Sequence, residues 1–312
     1  MVAIAGDSGA GKTTLARGLA DGLGRHRAVS ICVGDYHRYD RAERKSLPFT
    51  VLHPQCNYIA IMEQHMRLLA QGHPILKPVY DHAKGTLERP ELIEPREFVI
   101  CEGVLTLHTA AARSCFDLSV YLDTQERLRR AWKVKRDVTD RGYTVGDVWE
   151  ELGRREPESQ AFVRPQRGHA DVVVRVRAAE GDSAEGPVGA TVLVRPRVRV
   201  PELLAVVCSA ATGAIRRDVV EDEDGRWVDS VHISSKAAPE TVLEVVAAVS
   251  AELGLDDPMV ETLGHLDPAT RSEPLALTQL ILIFHALALE RGGGAWPSPV
   301  SPVSQPHVGM GV

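Results

Sequence analysis

The sequence has no apolar run of 18 or more residues, so no membrane-spanning helix and no membrane partner are expected. It has no Cys-x-x-Cys pair and no cysteine–histidine grouping at zinc-site spacing. Its five cysteines (Cys32, Cys56, Cys101, Cys115 and Cys208) are scattered, which predicts buried or idle thiols in a reducing compartment. It has no excess of basic charge: 36 Lys and Arg stand against 42 Asp and Glu, a net charge of −6. A globally acidic chain argues against nucleic acid or an anionic membrane as the main partner, although it allows a local basic pocket. There is no internal repeat. Met1-Val-Ala-Ile-Ala5 runs straight into a glycine-rich loop and leaves no room for a secretory signal, so a cytoplasmic location is expected. What is present is 312 residues, 44% hydrophobic and 25% charged, the composition of a globular protein of one or two domains.

Short apolar runs alternate with amphipathic stretches through the first half. Strands are expected at Val2–Ala5, Ala28–Val33, Phe98–Cys101, Leu118–Leu122 and Val172–Val176. Between them helices are expected from Lys12 to Arg25, with Leu15, Leu19 and Leu23 at i, i+4, i+8, and from Ile59 to Leu69. Further helices are expected from Thr124 to Asp140 and from Val145 to Phe162. Strands separated by helices imply an α/β fold with a mostly parallel sheet flanked by helices. After residue 177 the pattern changes. Residues 178–189 read as a loop. Strand-like pieces follow at Ala190–Val200, Leu204–Val207 and Trp227–Ile233, then helices at Pro239–Leu253 and Leu275–Leu289. The expected organisation is a core of residues 1–177, the loop, a smaller α+β extension over 190–291, and a disordered tail over 292–312.

Gly6-Asp7-Ser8-Gly9-Ala10-Gly11-Lys12-Thr13, followed by Thr14, fits G-x-x-x-x-G-K-[ST] between a strand and a helix, the context of a P-loop NTPase-type sheet. The glycines let successive amides point at phosphate oxygens. Lys12 reaches the β and γ phosphates, the Thr13 hydroxyl takes Mg²⁺, and the helix N-terminus favours negative charge. Glu102, ending the buried run Phe98-Val-Ile-Cys101, is either a partner of that metal or an ordinary strand-end carboxylate. Three segments bear on the phosphoryl acceptor. The loop from Asp35 to Lys45 holds His37, Arg38, Arg41, Arg44 and Lys45, either as a functional loop or as a solvated one. In residues 127–141, Lys133, Asp137 and Arg141 share one helical stripe beside Arg136, either as a surface ion-pair ladder or as a clamp on phosphate. Lys77 to Gly85 reads as an extended turn that displays Tyr80 and His82.

These residues resemble the phosphoribulokinase and uridine kinase family. The matching segments are the phosphate loop through Thr14, Asp35-Tyr-His-Arg-Tyr-Asp-Arg41, Lys77-Pro-Val-Tyr-Asp-His82 and Glu102-Gly103. Ala131 to Gly142, Arg164-Pro-Gln166 and Ala170-Asp-Val-Val173 are closer to the phosphoribulokinase branch. The likeness is strong over residues 1–177 and fainter beyond, where Leu277 to His285 is similar to the final helix of some bacterial members. The resemblance implies that ATP and ribulose 5-phosphate give ribulose 1,5-bisphosphate and ADP, a product that feeds carbon fixation where the matching carboxylase exists. Carried over by position, Lys12 and Thr13 bind ATP and Mg²⁺, and Glu102 supports the metal. His37, Arg41, Lys133 and Arg141 bind the sugar phosphate, with Lys45, Tyr80 and His82 as further substrate residues. Arg136 and Asp137 match a pair important for catalysis, and a homo-oligomer is expected. An acceptor that already carries a phosphate suits an arginine-rich pocket.

Two departures stand out. In similar enzymes a carboxylate immediately before the position of Asp35 is the base for the acceptor hydroxyl; here it is Gly34. A general base contributes ~10²–10⁴-fold in rate. Three readings stay open: Asp35 swings in on a flexible Gly34, Asp137 serves as base, or turnover is low. Asp restored at position 34 is expected to raise turnover. The second departure is Ala10, where redox-regulated relatives carry a cysteine that pairs with the position of Cys32; thiol switching through that pair is expected to be absent. The alternatives to a sugar-phosphate kinase are a nucleoside kinase and a weakly active ATP-binding regulatory protein.

Overall fold

The computed structural model describes residues 1–179, 186–198, 201–211, 213–253, 259–267 and 269–291; the expected tail over 292–312 lies outside them. In chain order the elements are β1 (Val2–Gly6), α1 (Lys12–Leu23), β2 (Ala28–Cys32), α2 (Ile59–Ala70), β3 (Ile75–Asp81), β4 (Thr86–Ile93), β5 (Phe98–Gly103), α3 (Ala110–Arg113), β6 (Leu118–Thr124), α4 (Glu126–Arg141), α5 (Val145–Glu158) and β7 (Val172–Ala178). There follow β8 (Val188–Val194), α6 (Pro201–Ala210), β9 (Ile215–Glu221), β10 (Trp227–Ile233), α7 (Pro239–Leu253) and α8 (Glu273–Arg291).

One eight-stranded sheet runs β2-β5-β1-β6-β7-β8-β10-β9. The pairs from β2 to β7 are parallel, and those from β7 to β9 are antiparallel. The parallel strands are continuous apolar runs because helices cover both faces. In β1, Val2 and Ile4 face a core that contains Leu15, Leu19, Leu122 and Phe284. Ala3 and Ala5 face the other, with Ile31, Tyr36, Met62, Met66 and Tyr121. This is the two-residue period of a strand buried on both sides. Leu15, Leu19 and Leu23 of α1 are buried as their spacing predicts.

The strands after residue 177 extend this same sheet, and α8 packs on α1. The approach is close: a Cβ at Gly18 would lie 1.9 Å from Gln279 Nε2. Helix α8 is long and apolar enough to cross a membrane by length and composition, but 72% of that window is buried in the protein. Four expectations differ from the structure. Leu204–Val207 lies in helix α6, because a four-residue apolar run cannot distinguish strand from helix, and Pro201 opens the helix. The piece begun at Ala190 stops at Val194, before Pro196, which has no N–H to donate to a ladder. The regular α-helix begun at Val145 ends at Glu158 and continues as a π turn over Ser159–Val163, with Pro157 in its last turn. Lys77 to Gly85, expected as an extended turn, instead supplies most of strand β3 and the turn of a two-stranded antiparallel hairpin, β3–β4, over residues 75–93.

Candidate functional site

The C-terminal ends of β1, β2 and β5 meet at the glycine-rich loop. Gly9 and Gly11 have φ of +86° and +97°, the left-handed region where glycine is unstrained. A Cβ at Gly9 would also stand 2.8 Å from Lys133 Cβ and 2.9 Å from the Arg129 carbonyl, so α4 presses against the loop. The loop is held by Ala10 N donating to Asp7 O (3.1 Å), Thr124 Oγ1 to Ala10 O (2.8 Å) and Arg129 Nη1 to Ser8 O (2.9 Å). Asp7 accepts from the Ser8 amide (2.8 Å) and the Ser159 hydroxyl, which ties the segment after α5 to the loop. Lys12 Nζ donates to Asp7 O at 2.9 Å. Burial lowers the pKa of this lysine, against the opposing pull of Glu102 and Asp7. Thr14 O accepts from Gln279 of α8.

Thr13 Oγ1 donates to Glu102 Oε1 at 2.9 Å, and Glu102 is 5% exposed. A hydroxyl and a carboxylate meeting at a helix N-terminus are hard oxygen donors of the kind Mg²⁺ takes. Cys32, Asp35 and His82 also bring ligand atoms within 4.8 Å of one another. That trio is poorly disposed to a cation: the Lys77 ammonium already neutralises Asp35, and burial above all keeps the Cys32 thiol protonated. Burial likewise raises Cys56 to about 11 and Cys101 to about 12, and it raises Cys115 and Cys208. None of the five thiols is an activated thiolate.

On the acceptor side, His37 is buried with Nδ1 2.8 Å from Asn57 Oδ1; burial, then Arg44, lowers its pKa to about 3. Arg41 Nη2 donates to the His82 carbonyl (2.7 Å), and its guanidinium lies 4.8 Å from the Tyr143 ring centroid. Arg44 Nη2 donates to Tyr80 Oη at 2.5 Å. Tyr80, expected to be displayed, is 4% exposed because β3 turns it inward against His37. Asp35 is buried, bound by the Lys77 ammonium and the Tyr80 amide. Lys45 is exposed on the turn Glu43–Ser46, away from these contacts.

The α4 stripe forms one cluster. Asp137, 1% exposed, is bound by Lys133, by Arg136 Nε at 2.9 Å and by Arg141 at 3.4 Å. Three cations therefore share one carboxylate. Arg41 Nε is buried without a hydrogen-bond partner, whereas Arg136 Nη2 is ion-paired with Asp137 Oδ1 at 2.8 Å. Arg136 lies within electrostatic reach of both Lys12 and His82, so the cluster faces the phosphate loop and the acceptor loop together. Lys77 and Arg155 were missed from sequence. Lys77 opens the segment Lys77–His82, but its partner Asp35 is 42 residues away. Arg155 had no marker beyond an amphipathic helix. A cavity of about 400 Å³ lies farther along α1, lined by Arg17, Asp21, Arg25, His265 and Asp267, and takes in none of the motif residues.

A sequence profile described as "Phosphoribulokinase / Uridine kinase family" matches residues 1–181. The chain is 39% identical over 176 residues to a phosphoribulokinase of Synechocystis sp., covering 56% of this chain and 53% of that one. It is 33% identical over 207 residues to the chloroplastic phosphoribulokinase of Spinacia oleracea, covering 60% and 52%. It thus spans about half the length of these relatives. A uridine kinase of Lactobacillus helveticus is 30% identical over 179 residues, 56% of this chain and 85% of that one. The solved structure of a phosphoribulokinase from Rhodobacter spheroides shares the fold, with a TM-score of 0.60 at 17% identity, over 84% of this chain and 97% of the other.

Proposed function

This chain belongs to the phosphoribulokinase / uridine kinase family, and from that premise we propose that it transfers the γ-phosphoryl group of ATP to a hydroxyl of ribulose 5-phosphate. The observation that carries the acceptor's class is the cluster on α4. Lys133, Arg136 and Arg141 surround Asp137 alone, a surplus of two positive charges, and Arg41 Nε is buried without a hydrogen-bond partner. A nucleoside would leave that charge uncompensated, whereas a phosphate monoester satisfies it with charge-assisted, bidentate bonds.

In this reading the amides of Gly9 to Thr13 and the Lys12 ammonium hold the β and γ phosphates, and Thr13 with Glu102 holds Mg²⁺. The metal supplies charge neutralisation on the phosphates. Arg136, near both loops, stabilises charge on the transferring group, and Arg41, Lys133 and Arg141 orient the acceptor phosphate. His37, pinned by Asn57 and neutral, and Tyr80, pinned by Arg44, shape the wall of the sugar site. The chain acts in the cytoplasm.

The test is ADP release measured with ribulose 5-phosphate, with uridine and with no acceptor. The expected result is acceleration by ribulose 5-phosphate above the background and above uridine. Acceleration by uridine alone would assign the chain to nucleosides. ATP binding without turnover on either would make it a regulatory ATP-binding protein.

A further inference from the structure

Phosphoryl transfer to a hydroxyl needs a group to take its proton, and the acids around the site are already engaged. Asp35 is bound by the Lys77 ammonium and the Tyr80 amide. Asp137 is bound by Lys133, Arg136 and Arg141. Glu102 accepts from Thr13, and Asp7 from Ser8 and Ser159. His37 is 6% exposed and committed to Asn57. Gly34 has no side chain.

The space at Gly34 is nevertheless occupied. A Cβ built there would lie 3.3 Å from His82 Nε2 and 3.2 Å from Cys32 Sγ. Cys32 is the register partner of Glu102, which Thr13 holds, so this place adjoins the metal corner of the phosphate loop. His82 arrives from the turn of the β3–β4 hairpin. Its backbone is fixed by Arg41, and its ring is flanked edge-on by Tyr80 (5.0 Å) and His37 (6.0 Å). It is half-buried, so a substrate hydroxyl can reach it.

We propose that His82 is the proton acceptor for the substrate hydroxyl, standing in the place that Gly34 leaves without a carboxylate. This rests on the kinase reading above. The hydroxyl oxygen forms a bond to the γ-phosphorus. The bond from that phosphorus to the β,γ-bridging oxygen breaks, and ADP leaves with the electron pair. The hydroxyl proton passes to His82 Nε2 and then to solvent. The groups facing the imidazole are Arg141, Arg136, Arg44 and Asp81, with Asp35, Cys32 and His37 beside it. Burial first, then the three arginines, lowers the His82 pKa to about 4 against the pull of Asp81. The imidazole is therefore neutral at neutral pH, with a lone pair to offer, and the imidazolium is quickly discharged. A base this weak predicts modest turnover.

The experiment measures ADP release by the full chain at saturating ATP. The proteins are wild type, His82→Gln, His82→Ala and the double variant Gly34→Asp/His82→Ala, with ATP affinity and thermal midpoint as controls on folding. His82→Gln and His82→Ala are expected to lose about 10²-fold or more in kcat with ATP affinity unchanged. Added imidazole is expected to restore His82→Ala in a concentration-dependent way, and the double variant to regain at least about tenfold, within the range a general base supplies. A glutamine variant that keeps more than about a third of kcat overturns the proposal. So does an alanine variant that neither imidazole nor Asp at position 34 restores, because that is the behaviour of a merely structural residue. Wild type active on uridine alone would overturn the acceptor assignment and leave His82 to be judged by the same variants on uridine. Wild type inactive on both overturns the kinase reading, and the role of His82 with it.

Discussion

Replacing Asp137 by asparagine tests whether the α4 cluster is a charged device or ordinary packing. Asp137 and Lys133 are each 1% exposed and paired with one another, with Arg136 and Arg141 on the same carboxylate. Burial alone would raise the Asp137 pKa, but Arg136, Lys133 and Arg141 outweigh it and hold the carboxyl below its ordinary value. Burial and Arg155 lower Lys133 to about 8 even with Asp137 pulling the other way. With an amide in its place, Lys133 is a buried ammonium without a counter-ion. Removing one partner of a buried pair costs about 3–5 kcal/mol. The lysine has an escape, because it can shed its proton. From its ordinary 10.5 down to pH 7 that costs about 5 kcal/mol at about 1.4 kcal/mol per unit, which caps the loss in the same range. Set against a typical unfolding free energy of about 5–15 kcal/mol, the loss is severe.

The pH dependence is specific. The folded-state pKa of Lys133 lies below its unfolded value, so above about pH 8 the unfolded chain holds a proton that the folded chain has released. Stability therefore rises with pH between about 8 and 10.5. In Asp137→Asn the folded pKa falls further, so the variant bears the extra proton cost at pH 7 but shares the neutral lysine with wild type at pH 9.5. Urea unfolding is expected to show a deficit of about 3–5 kcal/mol at pH 7 that narrows at pH 9.5. A deficit under about 1 kcal/mol at pH 7, or one that grows as pH rises, would refute the argument. ADP release by the folded fraction, read in parallel, separates lost stability from lost chemistry.

Two further outcomes follow from the phosphate loop and the sheet. Lys12→Met removes a buried cation whose burial is already unfavourable, so kcat should fall by at least about 10²-fold while the thermal midpoint holds or rises; a variant active within tenfold of wild type would remove Lys12 from the phosphates. A chain ended after Arg177 loses β8 from the edge of β7 and α8 from the face of α1. It is expected to bind a hydrophobic dye and to lose cooperative unfolding, and a cooperatively folded 1–177 fragment would show that the core closes without the later strands.

The parts of this molecule legible in sequence are those whose cause is local. The glycine-rich loop could be read because a left-handed backbone and a strand–loop–helix context are written in consecutive residues. Helix α1 could be read because burial of one face imposes a period on it, and strands β1, β5 and β6 because burial on both faces makes them short continuous apolar runs. The α4 cluster was legible as a stripe, since residues four apart on a helix must meet. The hairpin β3–β4 was not, because nearly every residue of Thr86–Ile93 is exposed and Glu, Arg and Pro break any alternation. Strand β9 was missed for the same reason: Ile215-Arg-Arg-Asp-Val-Val-Glu221 is a charged edge with a single buried residue. Helix α6 was misread because four apolar residues carry too little period to choose between element types.

The site divides along the same line. Gly34 is visible as a missing side chain, and position alone leaves Asp35 and Asp137 as its replacements. Neither is excluded by its residue type. They are disfavoured by their partners, Lys77 across 42 residues for Asp35 and three cations for Asp137. The imidazole beside Gly34 comes from a hairpin that the sequence disguised, so its nearness to β2 could not be anticipated. A vacant position is a property of one residue, but what fills it depends on the packing of a second element. That is why Asp introduced at position 34 alone is not expected to act as a simple repair. Its Cβ would stand within 3.3 Å of both the His82 ring and the Cys32 sulfur, a spacing that makes those neighbours give way, and its carboxylate would compete for the space His82 holds.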